Sequence, residues 1–220
     1  MSKKEKFFGV NNNNWGHKWG YKDSGFVINS DMSVSFTGNR YPICGKKLPN
    51  FVPFVEEALG VTFKLKPKIK ELEKKHIIGY KTNELFIEEL KKTFEKDRYI
   101  NSDEERILHS HGQHSTDEVY KVLYSKLESF TDLVFYIENE KETKILIDLA
   151  KKHDVCLIPY GGGTNVTNAL RPPKEESRMV VTVDTRRMDS IESLDEKNLL
   201  VTVQAGITGK ALEQKLNKKG

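Results

Sequence analysis

Residues 155–166 read Val155-Cys156-Leu157-Ile158-Pro159-Tyr160-Gly161-Gly162-Gly163-Thr164-Asn165-Val166. The apolar run has the composition of a buried strand, and Pro159 marks its end. Three consecutive glycines follow at once. Each costs backbone entropy on folding, so such a turn answers a need of the backbone itself. Without Cβ atoms, successive N–H groups can converge on an anion. The Thr164 hydroxyl and the Asn165 amide add donors, and Pro159 stiffens the entry. The stretch therefore reads as a concave donor cluster suited to a diphosphate. The glycines alone are equally compatible with a plain flexible turn that binds nothing. Two other phosphate loops are excluded: no Lys-Ser/Thr follows at the spacing of a nucleotide-triphosphate loop, and the glycines are consecutive rather than spaced as in the dinucleotide fingerprint.

Working outward, Leu133-Val134-Phe135-Tyr136-Ile137 is a second β-rich run. Asn139 with Glu142 three residues on has the pattern of a helix N-cap and its reciprocal partner. Ile145, Leu146, Leu149 and Ala150 then mark one helical face. The two runs and the helix make a strand–helix–strand unit, whose default is a parallel crossover. Met179 to Val183 is a third strand. Ile191–Leu194 and Leu199–Val203 pair as a hairpin across polar residues 195–198. A helix with Leu212 and Leu216 on one face begins at Thr208.

The front of the chain has a different texture. Residues 1–14 end in the tract Asn11–Asn14 and are expected to be disordered. Trp15, Trp19 and Tyr21 among glycines are expected to anchor a segment onto a folded body. Phe26-Val27-Ile28 and Val34-Ser35-Phe36 flank a polar turn and read as a hairpin. Asn50 is placed as the N-cap of a helix that has Pro53 in its first turn and stops at Gly60. Lys64–Lys75 reads as a solvated connector or exposed helix. Helices are expected after Asn83 (Leu85, Phe86, Leu90, Phe94), over Asp103–His109, and over Asp117–Leu127 with Val119, Val122 and Leu123 on one face. The fold class is therefore α+β, divided as a disordered 1–14, a hairpin-plus-helices region 15–129, and a cofactor domain from 130 to 220.

Composition narrows the function classes. Hydrophobic residues make up 37% and charged residues 31%, with 36 Lys+Arg nearly cancelled by 32 Asp+Glu, a net +4. No uninterrupted basic block exists, so nucleic acid is not an expected partner. The two cysteines, Cys44 and Cys156, lie far apart and read as reduced thiols. His109, His111 and His114 cluster near Gly112, but no carboxylate or thiol pattern completes a metal site, and none is expected. Arg106, after three acidic residues, reads as a structural ion-pairing residue. No apolar stretch approaches the roughly 20 residues of a membrane-spanning helix, and the N-terminus has no secretory h-region.

The segment IPYGGGTNV resembles the pyrophosphate loop of the vanillyl-alcohol-oxidase type of FAD-binding domain, and LVTVQAGITGKALEQKL downstream is similar to the same family. The fold implied is an N-terminal hairpin-plus-helices segment followed by the first half of such a domain. Cofactor contacts are then implied for Pro159, Tyr160, Gly161, Gly162, Gly163, Thr164, Asn165, Val166 and Gly206, with Val203, Gln204, Ala205 and Thr208 near the flavin. The Trp15-Gly16 and Trp19-Gly20-Tyr21 aromatics, here split by His17-Lys18, the Arg40-Tyr41-Pro42 turn and residues 103–112 resemble more narrowly the alkyl-dihydroxyacetonephosphate synthase family. That resemblance implies FAD as cofactor. It further implies exchange of the acyl chain of acyl-dihydroxyacetone phosphate for a long-chain fatty alcohol, with flavin N5 as the nucleophile and no net redox change. It also implies a homodimer, peripheral membrane association and a peroxisomal location. The family's catalytic Tyr and His cluster would lie beyond position 220, so no catalytic residue is assigned, and the 220 residues alone are expected to be inactive and to bind FAD poorly. An ordinary FAD-dependent oxidation of a 2-hydroxy acid or alcohol is the competing activity.

Overall fold

A computed structural model describes residues 19–21, 23–63, 79–125 and 127–218. The expectations for residues 1–14, Trp15 and Lys64–Lys75 lie outside the described residues.

The centre is a four-stranded sheet. It contains β4 (Tyr99–Ile100), β5 (Leu133–Tyr136), β6 (Cys156–Tyr160) and β7 (Val180–Asp184), in the order β4-β5-β7-β6. β5, β7 and β6 run parallel, and β4 closes one edge antiparallel to β5. Thus β5 and β6, consecutive in the chain, are separated in the sheet by β7. All of β5 and β7 is buried, which is why β5 reads as an uninterrupted apolar run and β7 as one broken only by Thr182 before its terminal Asp184. β6 runs two residues beyond the expected stop, through Pro159 and Tyr160. Pro159 is exposed on this outer strand, where a missing N–H interrupts no inner ladder.

Alternation along these strands sorts the side chains into two faces. Leu133 and Phe135 of β5, with Val181 and Val183 of β7, pack beneath helices α2 (Glu84–Thr93) and α5 (Glu140–Lys152) through Phe86, Leu90, Leu146 and Ala150. The opposite face carries Ile158, Tyr160 and Val180 with Leu170. Tyr136 and Asp184 share that second face by the same alternation.

The helix starts follow their caps. Asn83 accepts from Phe86 N at 3.0 Å and Asn139 from Glu142 N at 2.9 Å, each satisfying an otherwise unpaired first-turn donor. The reciprocal half of the second cap is displaced by one residue: Glu142 accepts from Glu138 N at 2.9 Å and pairs with Arg98. Helix α1 (Phe51–Leu59) ends as expected, with Gly60 at φ 63°. Asn50 precedes it but makes no side-chain cap bond. Helix α3 (Asp103–Leu108) is capped by Ser102. Helix α4 (Thr116–Tyr124) stops short of the expected Leu127 and buries Glu118 beside Val122.

The N-terminal hairpin forms as read. β1 (Phe26–Ile28) pairs antiparallel with β2 (Val34–Phe36), and a two-residue β3 (Lys47–Leu48), not foreseen, extends it. The second hairpin, β8 (Ile191–Asp195) with β9 (Leu200–Val203), and helix α6 (Gly209–Asn217) also form where expected. Thr208 caps α6 by accepting from Ala211 N at 3.3 Å. Among the described residues, no helix is long and apolar enough to cross a membrane.

Candidate cofactor-binding site

The triglycine turn leaves the carboxyl end of β6, beside the carboxyl end of β7, where open α/β sheets present their ligand crevice. Gly161, Gly162, Thr164 and Val166 are exposed, Asn165 is half-buried, and Gly163 and Tyr160 are buried. Among the described residues, no backbone N–H from Gly161 to Val166 donates to a protein acceptor.

The three glycines have different reasons to be glycine. Gly163 has φ +68°, and a Cβ there would lie 2.5 Å from the Tyr160 hydroxyl. A Cβ at Gly161 would meet nothing within 4 Å, and one at Gly162 only the Thr164 methyl at 3.5 Å. Neither of those two has a φ in the left-handed region. The protein's own packing thus leaves the space before Gly161 and Gly162 empty, as an approaching ligand would require. Asn165 adds a second sign: its Oδ1 and Nδ2 are both buried with no hydrogen-bond partner among the described residues. Buried amides are rarely left so. These residues fit the diphosphate of FAD.

Two supports hold the turn from behind. Gln113 N donates to Gly163 O at 2.6 Å, and Trp19 Nε1 donates to Gln113 O at 2.5 Å. Trp19 therefore anchors the front segment onto the body, as its sequence context suggested. Asn165 lies over Gly112, where a Cβ would sit 2.6 Å from Asn165 Oδ1. Gly112 N in turn donates to Glu118 Oε2 at 2.9 Å.

Gly206 differs in kind. A Cβ at that position would overlap Thr185 O at 1.8 Å and Arg186 Cα at 2.8 Å. Its N–H donates to Met188 O at 2.8 Å. Gln204 bonds Ser190 with both its backbone N–H (2.9 Å) and its side chain, whose Oε1 accepts from Ser190 N at 3.1 Å. Gly206 and Gln204 thus have packing reasons for their identity. The Val203–Thr208 turn lies against Thr185, and Thr185 N donates to Tyr160 O at 3.0 Å. The two glycine turns therefore meet at one place, the Asp184-Thr185-Arg186 corner after β7.

That corner carries residues the sequence reading passed over. Asp184 is fully buried. It accepts from Arg186 N at 2.7 Å and pairs with Arg186 Nε at 2.7 Å. His109 Nε2 approaches Asp184 Oδ2 at 2.7 Å. A charged residue ending an otherwise uncharged, wholly buried strand was the available signal. Burial works against the Arg186 charge, but the carboxylate of Asp184 overrides it and holds the guanidinium above its usual range. Burial pushes the phenols of Tyr160 and Tyr136 far up, the latter helped by Glu105, whose Oε2 accepts from Tyr136 O–H at 2.8 Å. Both stay neutral.

The histidine cluster separates. His109 and His111 are buried, and His114 is exposed. Burial pushes the His111 imidazole below its usual range. Among the described residues, no three His, Cys, Asp or Glu side chains are placed to share a metal ion. Arg106 is structural, donating to Thr131 O at 2.8 Å from a wholly buried position.

The strand order, the turn at the β6 terminus and the unpaired donors define the start of a flavin-binding domain. Residues 131–220 match the family model described as FAD binding domain. Over 202 residues the chain is 38% identical to alkyldihydroxyacetonephosphate synthase of Caenorhabditis elegans, covering 92% of this chain and 33% of that protein. It is 29% identical over 213 residues to the protein of the same name from Trypanosoma brucei brucei, covering 92% and 34%. A solved structure of alkyldihydroxyacetonephosphate synthase matches with a TM-score of 0.82 at 26% identity, over 96% of this chain and 40% of that one. The chain belongs to the alkyldihydroxyacetonephosphate synthase family, and spans about a third of the length of the curated relatives it matches.

Proposed function

We propose that this chain supplies the diphosphate cradle of an FAD-dependent transferase. In that reaction the acyl chain of acyl-dihydroxyacetone phosphate is exchanged for a long-chain fatty alcohol, giving the ether bond of alkyl-dihydroxyacetone phosphate. The observation that carries the cofactor reading is the turn after β6, whose amides have no acceptor among the described residues and whose first two glycines face open space. The names of the relatives support the reaction and its place in ether lipid synthesis.

Backbone N–H groups of Gly161, Gly162, Thr164 and Asn165 bind the diphosphate, and the Thr164 hydroxyl and Asn165 amide orient it. Gly163 gives the turn its left-handed step, and Tyr160 supports it from below. When bound, FAD supplies the nucleophilic flavin nitrogen for the exchange. The exchange belongs to the protein at the length of its relatives. By the same family reading that protein is a homodimer, associates peripherally with a membrane and resides in peroxisomes.

The test is product analysis. The natural-length protein, loaded with FAD and given acyl-dihydroxyacetone phosphate and hexadecanol, is expected to release fatty acid and form the alkyl ether without accumulating reduced flavin or peroxide. Reduced flavin or peroxide formed in step with turnover would instead assign an oxidation.

A further inference from the structure

We infer that His109, held as an imidazolium, is a positioning residue for the triglycine turn, acting through Tyr160 and together with Asp184. The inference rests on the FAD reading of that turn.

The protonation follows from hydrogen-bond chemistry. His109 Nδ1 lies 2.7 Å from Glu105 O, a backbone carbonyl that can only accept. A second acceptor, Glu105 Oε2, lies 3.4 Å from the same nitrogen. His109 Nε2 lies 2.7 Å from Asp184 Oδ2. Asp184 already accepts from Arg186 N and sits 2.7 Å from Arg186 Nε, so it is an ionised carboxylate and likewise only accepts. A neutral imidazole has one N–H and cannot donate to both sides. Among the described residues, the one donor facing the ring is Arg186 Nη2, at 3.3 Å from Nε2. That contact is longer by 0.6 Å than the carboxylate contact, and the shorter one decides. A buried imidazolium is costly unless paired. Here Asp184 and Glu105 balance His109 and Arg186, so the cluster is neutral as a whole.

The connection to the turn is by packing. The His109 ring lies against the Tyr160 ring at 4.5 Å between centroids. Tyr160 in turn fills the space where a Gly163 side chain would be. Both hydrogen bonds fix the plane of the His109 ring, the ring fixes Tyr160, and Tyr160 sets the height of Gly163. A ring held by one bond could swing about its Cβ–Cγ axis. A ring held at both nitrogens cannot.

The test uses the natural-length protein. In ¹⁵N-histidine-labelled protein, the His109 nitrogens, assigned by loss of signal in His109→Gln, are expected to resonate close together, as protonated ring nitrogens do. One nitrogen shifted far downfield would overturn the imidazolium. In FAD titrations of the apoprotein, His109→Phe keeps the ring but loses both bonds, and is expected to raise the Kd about tenfold or more, or roughly 1.4 kcal/mol. Parent-like affinity in a folded His109→Phe variant would overturn the positioning role while leaving the FAD reading intact. Absence of FAD binding by the parent protein would instead remove the FAD reading itself. Should His109→Phe not fold, the nitrogen shifts of the unmodified protein still decide the protonation, and Asp184→Asn in the same titration decides the positioning, with a parent-like Kd overturning it.

Discussion

Two glycine turns meet at the Asp184–Arg186 corner, and they need their glycines for opposite reasons. At Gly206 the protein's own backbone fills the space, 1.8 Å from where a Cβ would be. At Gly161 the same construction meets nothing. A glycine that packing demands belongs to the fold. One that packing does not demand leaves the backbone open to something outside the chain. The contrast separates stability from binding at residues that look alike in the sequence.

The comparison can be broken by substitution. Gly206→Ala has the largest expected effect, because backbone must move to admit the methyl group. The expected loss is on the order of 3 kcal/mol or more, read as a fall in the denaturation midpoint. A midpoint unchanged by Gly206→Ala would remove one side of the contrast. Gly163→Ala is intermediate, since φ +68° costs a side-chain-bearing residue about 1–2 kcal/mol and Tyr160 must also yield. Gly162→Ala is expected to leave stability within about 0.5 kcal/mol, while FAD binding weakens at least about tenfold.

Acid sharpens the picture at the wall behind the turn. His111 is held neutral by burial, with its imidazole lowered from 6.5. The unfolded chain takes up that proton first as pH falls below 6.5, so stability is expected to decline on acidification from that point down to the folded-state value. His111→Gln should flatten this part of the pH–stability curve. The smallest expected effect is at Glu176, which the Arg178 guanidinium holds at about 2. Its contribution is present above the usual carboxylate value of 4.5 and lost as pH falls toward 2, and Glu176→Gln should remove that small slope.

Much of this arrangement was legible in local chemistry. The strand of 133–137 declared itself as a continuous apolar run, and that of 179–183 as one broken only by Thr182, because both faces are covered. Asn83, Asn139, Thr208 and Gly60 marked helix ends through side-chain or left-handed caps that require those residue types. The triglycine turn stood out because three glycines in succession after a strand are costly. What sequence could not show is order in space. β7 inserts between β5 and β6, and no local pattern encodes which strand neighbours which. The two-residue β3 and β4 are too short to carry periodicity. Asp184 and His109 lie 75 positions apart, so their contact was invisible until the sheet brought them together. Glu118, buried on a helix face read as apolar, was missed because its partners come from Gly112 and Arg171.

The most direct trial of the account is Gly161→Val, at an exposed position where an added Cβ meets nothing within 4 Å. The natural-length parent is expected to purify with stoichiometric yellow FAD, and the variant to keep the parent's thermal midpoint as apoprotein yet remain colourless. A variant that folds and retains flavin with the parent's affinity would contradict the claim that the amides of this turn hold the diphosphate.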